Sequence, residues 1–380
     1  MGHREAARAA MEALELDKLL FVPAGLPPHK ELSPESADPG HRRDMTALMA
    51  DSLGERAQVL DLELRRRGKA YTSDTLRALR KEYPEDELWL LMGSDMFLSL
   101  QSWHEPEAVM ALAGIAAFAR TGLDSGAQFA AQSDRLRKQY GARIATVALP
   151  RVVEISSTAL RGALAEGGGA SFLWPTVYGY ILREGLYGAR ADLRNLSDDQ
   201  LRAVSWSMVR ARRIPHIQGT EETAVALARH WGADRDAARR AAILHDCTKY
   251  LTLKEQLALC ERYHIPLDNI ERVSLPLLHA KTASALARHL FGETEPVCGA
   301  IFWHTTGRAG MTTLEKVVYL ADYMEPNRDF DGVARLRALV WQDLDRAMVM
   351  GLEATAADTA RRGTVVHPNT LAALADLKGT

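Results

Sequence analysis

The hydrophobic pattern of this chain changes period half-way along its length. In the first half, short continuous apolar runs at residues 19–22, 87–92, 115–119 and 144–149 alternate with amphipathic helical stretches such as 73–82 and 157–165. Continuous apolar strands separated by helices predict a parallel sheet covered on both faces. From residue 197 onward the apolar positions follow a helical period and no strand-like run is left. Ser197 with Gln200 and Thr312 with Glu315 have the spacing of capping boxes, and Gly232 has the position of a helix C-cap. Two architectures in one chain are therefore expected: an α/β domain with a doubly wound parallel sheet, then an all-α domain. The 380 residues fit this, being more than twice a domain of roughly 150 residues. The predicted division is 1–188, a polar linker at 189–196, and 197–380.

Charge and cysteine content exclude several classes. Lys and Arg total 47 against 49 Asp and Glu, a formal charge of −2. So small a charge argues against bulk electrostatic binding of nucleic acid or an acidic membrane. Cys247, Cys260 and Cys298 form no CxxC pair, so neither a disulfide framework nor a cysteine zinc site is expected. The longest uncharged apolar stretch, 108–119, is too short to span a bilayer. A cytoplasmic protein is the expectation.

Eight of the twelve histidines follow residue 200. His245 continues the helical face of Ala238, Ala241 and Ala242, and His304 that of Val297, Ala300 and Ile301. Asp322 continues Leu314 and Val318, and His279 opens the face of Ala283, Leu286, Ala287 and Leu290. Each should point inward. One inward histidine is ordinarily a hydrogen-bonded core residue. Several on separate helices, with His216 before them and Asp246 beside His245, suggest a site for divalent metal, because a buried carboxylate is costly without a cation. Two such metals about 3.5–4 Å apart can clamp a phosphate for in-line displacement. Lys249, four residues after His245, is expected on the same helix face, where its ammonium suits a phosphate oxygen.

The ordered series His216, His245-Asp246, His279, His304 and Asp322 resembles the ligand series of HD-superfamily metallophosphohydrolases. Its surroundings, 244–249, 301–307, Met311 and 319–326, are similar to the bacterial HD-type symmetrical diadenosine tetraphosphatases over about 197–375. That resemblance implies cleavage of diadenosine tetraphosphate into two ADP at a metal pair, iron or alternatively manganese. It makes Asp246 and Lys249 catalytic, with Lys249 neutralising the leaving charge, and places Arg328 on phosphate.

In the first half, Ser157 can cap the helix after the last strand, and Ser156, Thr158 and Arg161 beside it would form a phosphate-binding corner. With 23–30, 71–76, 93–96, Trp103 and the 177–187 ending, this region resembles bacterial nicotinate-mononucleotide adenylyltransferases over about 1–188. The resemblance implies transfer of adenylate from ATP, with magnesium, to nicotinate mononucleotide. Ser156, Ser157, Thr158 and Arg161 would hold ATP phosphates. Lys30, Thr72, Asp74, Gly93, Asp95 and Trp103 would surround the pyridine nucleotide. One departure is large. The family opens with a strand, a glycine-rich turn and a paired-histidine motif ending in Gly-His, and here only Gly2-His3 stands. His3 is then the one catalytic histidine carried over, the first strand is expected to be missing from the centre of the sheet, and impaired adenylyl transfer is an expectation.

The implied partners are diadenosine tetraphosphate, ATP and nicotinate mononucleotide, with no membrane and no specific nucleic acid; a homo-oligomer is left open. An alternative keeps the HD chemistry on another nucleotide and makes the first half a nucleotide-binding regulatory module.

Overall fold

The computed structural model describes residues 1–26, 36–66, 68–119, 126–149 and 155–379. Lys30 lies outside the described residues. The chain divides into two compact units, Met1–Val177 with Gly185–Arg190, and Tyr178–Glu184 with Ala191–Thr380. The stretch 178–184 thus joins the helical unit, where Tyr180, Ile181 and Leu182 are buried.

In the first unit all described strands pair in parallel. They are β1 (Leu19–Phe21), β2 (Ala57–Val59), β3 (Trp89–Gly93), β4 (Gly114–Phe118) and β5 (Ile144–Val147). The expected strands stand within a few residues of their predicted places, and β2 is an addition. Strand β4 shows why its run is apolar throughout. Ile115 and Ala117 enter a cluster with Phe97, Leu100, Val109 and Leu136, while Ala116 faces the opposite way onto Ala9, Ala10 and Val147. Both faces are covered, as the pattern requires.

Among the described residues the strands fall into two sheets. Strands β1 and β2 form one sheet, and β3, β4 and β5 form another in that order. Strands β1 and β3 are therefore edges, and both line one cavity of about 1160 Å³. Helix Gly2–Ala13 contributes Ala6, Ala7 and Ala10 to the same cavity.

The second unit is helical among its described residues. Helices Ile214–Trp231, Arg235–Leu244, Leu275–His289, Glu295–Trp303 and Thr313–Met324 pack on one another. The predicted inward faces are inward: Ala238, Ala241, Ala242, Ala283, Ala300, Ile301 and Val318 are fully buried. Alanines on these faces let helix backbones approach closely. Ser197 and Thr312 form capping boxes with Gln200 and Glu315. Gly232 ends its helix in the left-handed conformation at φ 70°.

All three cysteines are buried. Burial pushes the Cys247 thiol up to about 12 and the Cys298 thiol up to about 11, and raises Cys260 in the same direction. A thiol held neutral in the fold contributes stability that is complete below its unfolded value and declines as pH rises above it toward the folded value. Native protein at pH 8 should leave all three thiols unreacted with a disulfide reagent, and unfolding should release all three. One equivalent reacting in the native state would contradict this. Among the described residues, no helix is long and apolar enough to cross a membrane.

Candidate functional site

Helix 235–244 stops at Leu244, and His245 is its C-cap with helical backbone angles. His304 stands in the same relation to helix 295–303. His216 lies in the first turn of helix 214–231, His279 in helix 275–289, and Asp322 in the last turn of helix 313–324. The inward faces bring all of them to one point. His216 Nε2 is 3.3 Å from His245 Nε2, and His279 Nε2 is 3.1 Å from His304 Nε2. Asp246 Oδ1 is 3.2 Å from His279 Nε2, and its Oδ2 is 3.4 Å from His245 Nε2. Asp322 Oδ1 is 3.0 Å from His216 Nε2. These side chains make three overlapping groups, each with its ligand atoms within 4.8 Å: His216, His245 and Asp246; His245, His304 and Asp322; Asp246, His279 and His304.

The protonation states suit a cation. His245 Nδ1 donates to Ala242 O at 2.7 Å, and His304 Nδ1 donates to Ile301 O at 2.6 Å. Each ring is thereby left with its Nε2 lone pair turned inward. Burial lowers His304 well below the ordinary imidazole range, reinforced by His279 and His245, and burial also lowers His279. For Asp246, burial pushes upward, but His245, His279 and Lys249 outweigh it and hold the carboxyl well below the usual range. Asp322 is depressed in the same way by His216, His245 and Arg328 against its burial. Imidazole nitrogens and ionised carboxylates converging at hydrogen-bond distance are the donor set of a divalent metal site.

Three cations border the carboxylates. Arg213 pairs with Asp246, Lys249 Nζ lies 3.2 Å from Asp246 Oδ1 and 3.3 Å from His279 Nε2, and Arg328 Nη2 lies 3.0 Å from Asp322 Oδ1. Lys249 corrects the sequence reading. It is not on the helix face of His245, because the helix has ended and 245–250 is a series of turns. The turns still deliver its ammonium to the cluster.

In the first unit the expected residues separate. His3, Thr72, Gly93, Asp95 and Trp103 line the cavity shared by β1 and β3. Asp74 does not line it and pairs instead with Arg77 at 3.3 Å. Ser156, Ser157, Thr158 and Arg161 are not among its lining residues either. The cap is also one residue earlier than expected: Ser156 Oγ accepts from Ala159 N, and Ser157 is the first helical residue. Ser156 has the extended backbone a cap needs, whereas Ser157 is already inside the turn.

Comparison with known proteins follows the same division. Residues 1–163 match the Cytidylyltransferase-like family and residues 213–327 match the HD domain family. The symmetrical bis(5'-nucleosyl)-tetraphosphatase of Halalkalibacterium halodurans is 39% identical over 161 residues, 42% of this chain and 86% of that protein. The probable nicotinate-nucleotide adenylyltransferase of Lachnoclostridium phytofermentans is 35% identical over 186 residues, 49% of this chain and 91% of that protein. A solved HD superfamily hydrolase of Clostridium acetobutylicum is 34% identical, with a TM-score of 0.47, over 48% of this chain and 98% of its own.

The chain belongs to two families in series, the nicotinate-nucleotide adenylyltransferases and then the symmetrical bis(5'-nucleosyl)-tetraphosphatases. It is an enzyme with a nucleotidyltransferase-like domain and a divalent-metal HD hydrolase domain.

Two residues of the HD site carry no role in the sequence reading. Arg213 precedes His216 by one helical turn and reaches Asp246. Glu325 stands inside the 319–326 string with no part of its own. Its signal is present, because an acidic residue at a helix C-terminus opposes the helix dipole. A further group in the HD domain, Asp268, Glu271 and His367, reads as structural. His367 Nδ1 accepts from Asn369 N, so Nε2 bears the proton and donates to Asp268, while Lys281 neutralises Glu271.

Proposed function

We propose that the HD domain hydrolyses diadenosine tetraphosphate to two ADP, with His216, His245, Asp246, His279, His304 and Asp322 holding a pair of iron or manganese ions. The convergence of inward Nε2 lone pairs and two ionised carboxylates supports this reading most directly. The bound pair would supply Lewis acidity and activate water for in-line attack on phosphorus. The side chains do the rest. Four of them are imidazoles whose lone pairs hold the ions without adding charge, and Asp246 and Asp322 supply anionic oxygen. Lys249, Arg213 and Arg328 place positive charge beside the carboxylates, with Lys249 and Arg328 about one-third exposed. Lys249 can donate from Nζ toward the leaving phosphate, and the more exposed Arg328 can add a charged donor to the phosphate chain. A substrate panel tests the reading. The kcat/KM for diadenosine tetraphosphate should exceed that for ATP, a guanosine tetraphosphate and a cyclic dinucleotide. A higher value for any of those would reassign the substrate.

For the first domain, we propose a pyridine-nucleotide site lined by His3, Thr72, Gly93, Asp95 and Trp103, with ATP and magnesium as co-substrates. The convergence of these side chains on one cavity supports this reading. It also favours a second reading, a nucleotide-binding module that regulates its neighbour. Calorimetry with nicotinate mononucleotide should show binding, and addition of ATP should release pyrophosphate. No binding at millimolar ligand would remove both readings of this domain.

A further inference from the structure

We propose that Glu325 is a positioning residue of the HD centre, and that a small network built around it fixes His216 in the tautomer that can hold a metal. The inference rests on the metal-binding reading of that cluster. Glu325 is 1% exposed, a buried carboxylate at the end of helix 313–324. Its Oε1 accepts from His216 Nδ1 at 3.1 Å. With Nδ1 engaged by Glu325, Nε2 is the ring nitrogen turned to the cluster, 3.0 Å from Asp322 Oδ1. His245 and His304 achieve the same through backbone carbonyls of their own helix ends. His216 does not. Its Nδ1 meets the Glu325 side chain instead of a carbonyl of its own helix.

The carboxylate is held from three directions. Oε2 accepts from Asn327 N at 2.7 Å and from Asn327 Nδ2 at 2.8 Å, and the same Nδ2 donates to Pro215 O at 3.1 Å. Arg337 donates to Met324 O, Glu325 O and Arg328 O, which ties down the turn carrying Glu325 and Arg328. Gly219, one turn after His216 on the same helix, provides the space: a Cβ there would run into Glu325 Oε2 and lie 3.2 Å from Asn327 Nδ2. A glycine inside a helix is unfavourable by about 1 kcal/mol relative to alanine, and here the missing methyl is where the carboxylate sits.

This arrangement makes glutamine a poor substitute. Two donors of Asn327 face Oε2. The side-chain amide of the E325Q variant would place its oxygen there and turn its NH₂ toward His216 Nδ1. Nδ1 would then accept, and the proton would move to Nε2, on the metal side. A residue kept only for packing would be rescued by the isosteric amide, but a residue that sets the tautomer would not.

The test is chelator-competition titration of Mn²⁺ into the full chain and its variants, read as a dissociation constant without substrate. E325A and E325Q should each weaken Mn²⁺ binding by about 10- to 100-fold, with E325Q no better than E325A. G219A should weaken it through displacement of an intact Glu325. The double variant G219A/E325A should bind no more weakly than E325A, because both changes act on one contact. Wild-type affinity in E325Q, or additive losses in the double variant, would overturn the role of Glu325 while leaving the metal site standing. A wild-type chain that fails to bind Mn²⁺ would overturn the metal reading and this inference together.

Discussion

Replacing Asp246 by alanine should lower phosphohydrolase turnover by on the order of 10³-fold or more and strip the metal in the same step. Asp246 is fully buried and reaches both halves of the cluster. Oδ1 stands 3.2 Å from His279 Nε2, while Oδ2 stands 3.4 Å from His245 and 3.8 Å from His216. It belongs to two of the three overlapping groups, so its loss leaves only His245, His304 and Asp322 intact as a set. The variant also leaves Arg213 and Lys249 without the anion they share. Cations left facing a site with one carboxylate fewer oppose any metal that still enters. The isosteric D246N keeps the shape and removes the charge, and it should lose metal as D246A does. Elemental analysis of purified protein alongside the rate decides this. Full turnover with bound metal in D246A would remove the HD assignment.

Lys249 should behave differently. Alanine at 249 is expected to reduce turnover by roughly 10²- to 10³-fold, the usual cost of removing one charged donor from a developing anion. Metal content should hold or rise. Nζ lies 3.2 Å from Asp246 Oδ1 and 3.3 Å from His279 Nε2, so in the metal-free protein it occupies both donors with positive charge. Deleting it removes a competitor for the metal. The two variants therefore separate holding the metal from stabilising the leaving group. A lysine that is only solvated would leave both rate and metal content unchanged in K249A.

The fold was most legible where burial dictates residue type. Strand β4 is apolar at every position because both faces are covered, and the histidine faces follow from Ala238, Ala241, Ala242 and Ala300 being fully buried. The capping boxes at Ser197 and Thr312 are local chemistry, which sequence carries directly. Strand β2 left no such mark. Its Ala57 and Val59 alternate with the exposed Gln58, but three residues are too short for that alternation to stand out. Lys249 sits on a turn and not on the helix that the spacing predicts, because the helix ends at Leu244 and only His245 keeps helical backbone angles. The phosphate corner at 156–161 is legible as a cap, but which side chains line the cavity is a tertiary fact that no local pattern encodes. Arg213 and Glu325 were illegible for a related reason. Each acts through a partner far off in sequence, Asp246 and His216 respectively.

The most direct test of the central claim is product analysis. Protein purified without oxygen and analysed for metal would be incubated with diadenosine tetraphosphate, and the nucleotides separated by chromatography. The account predicts bound iron or manganese and ADP as the sole product, two per substrate consumed. ATP with AMP, or no turnover from a metal-filled site, would contradict it.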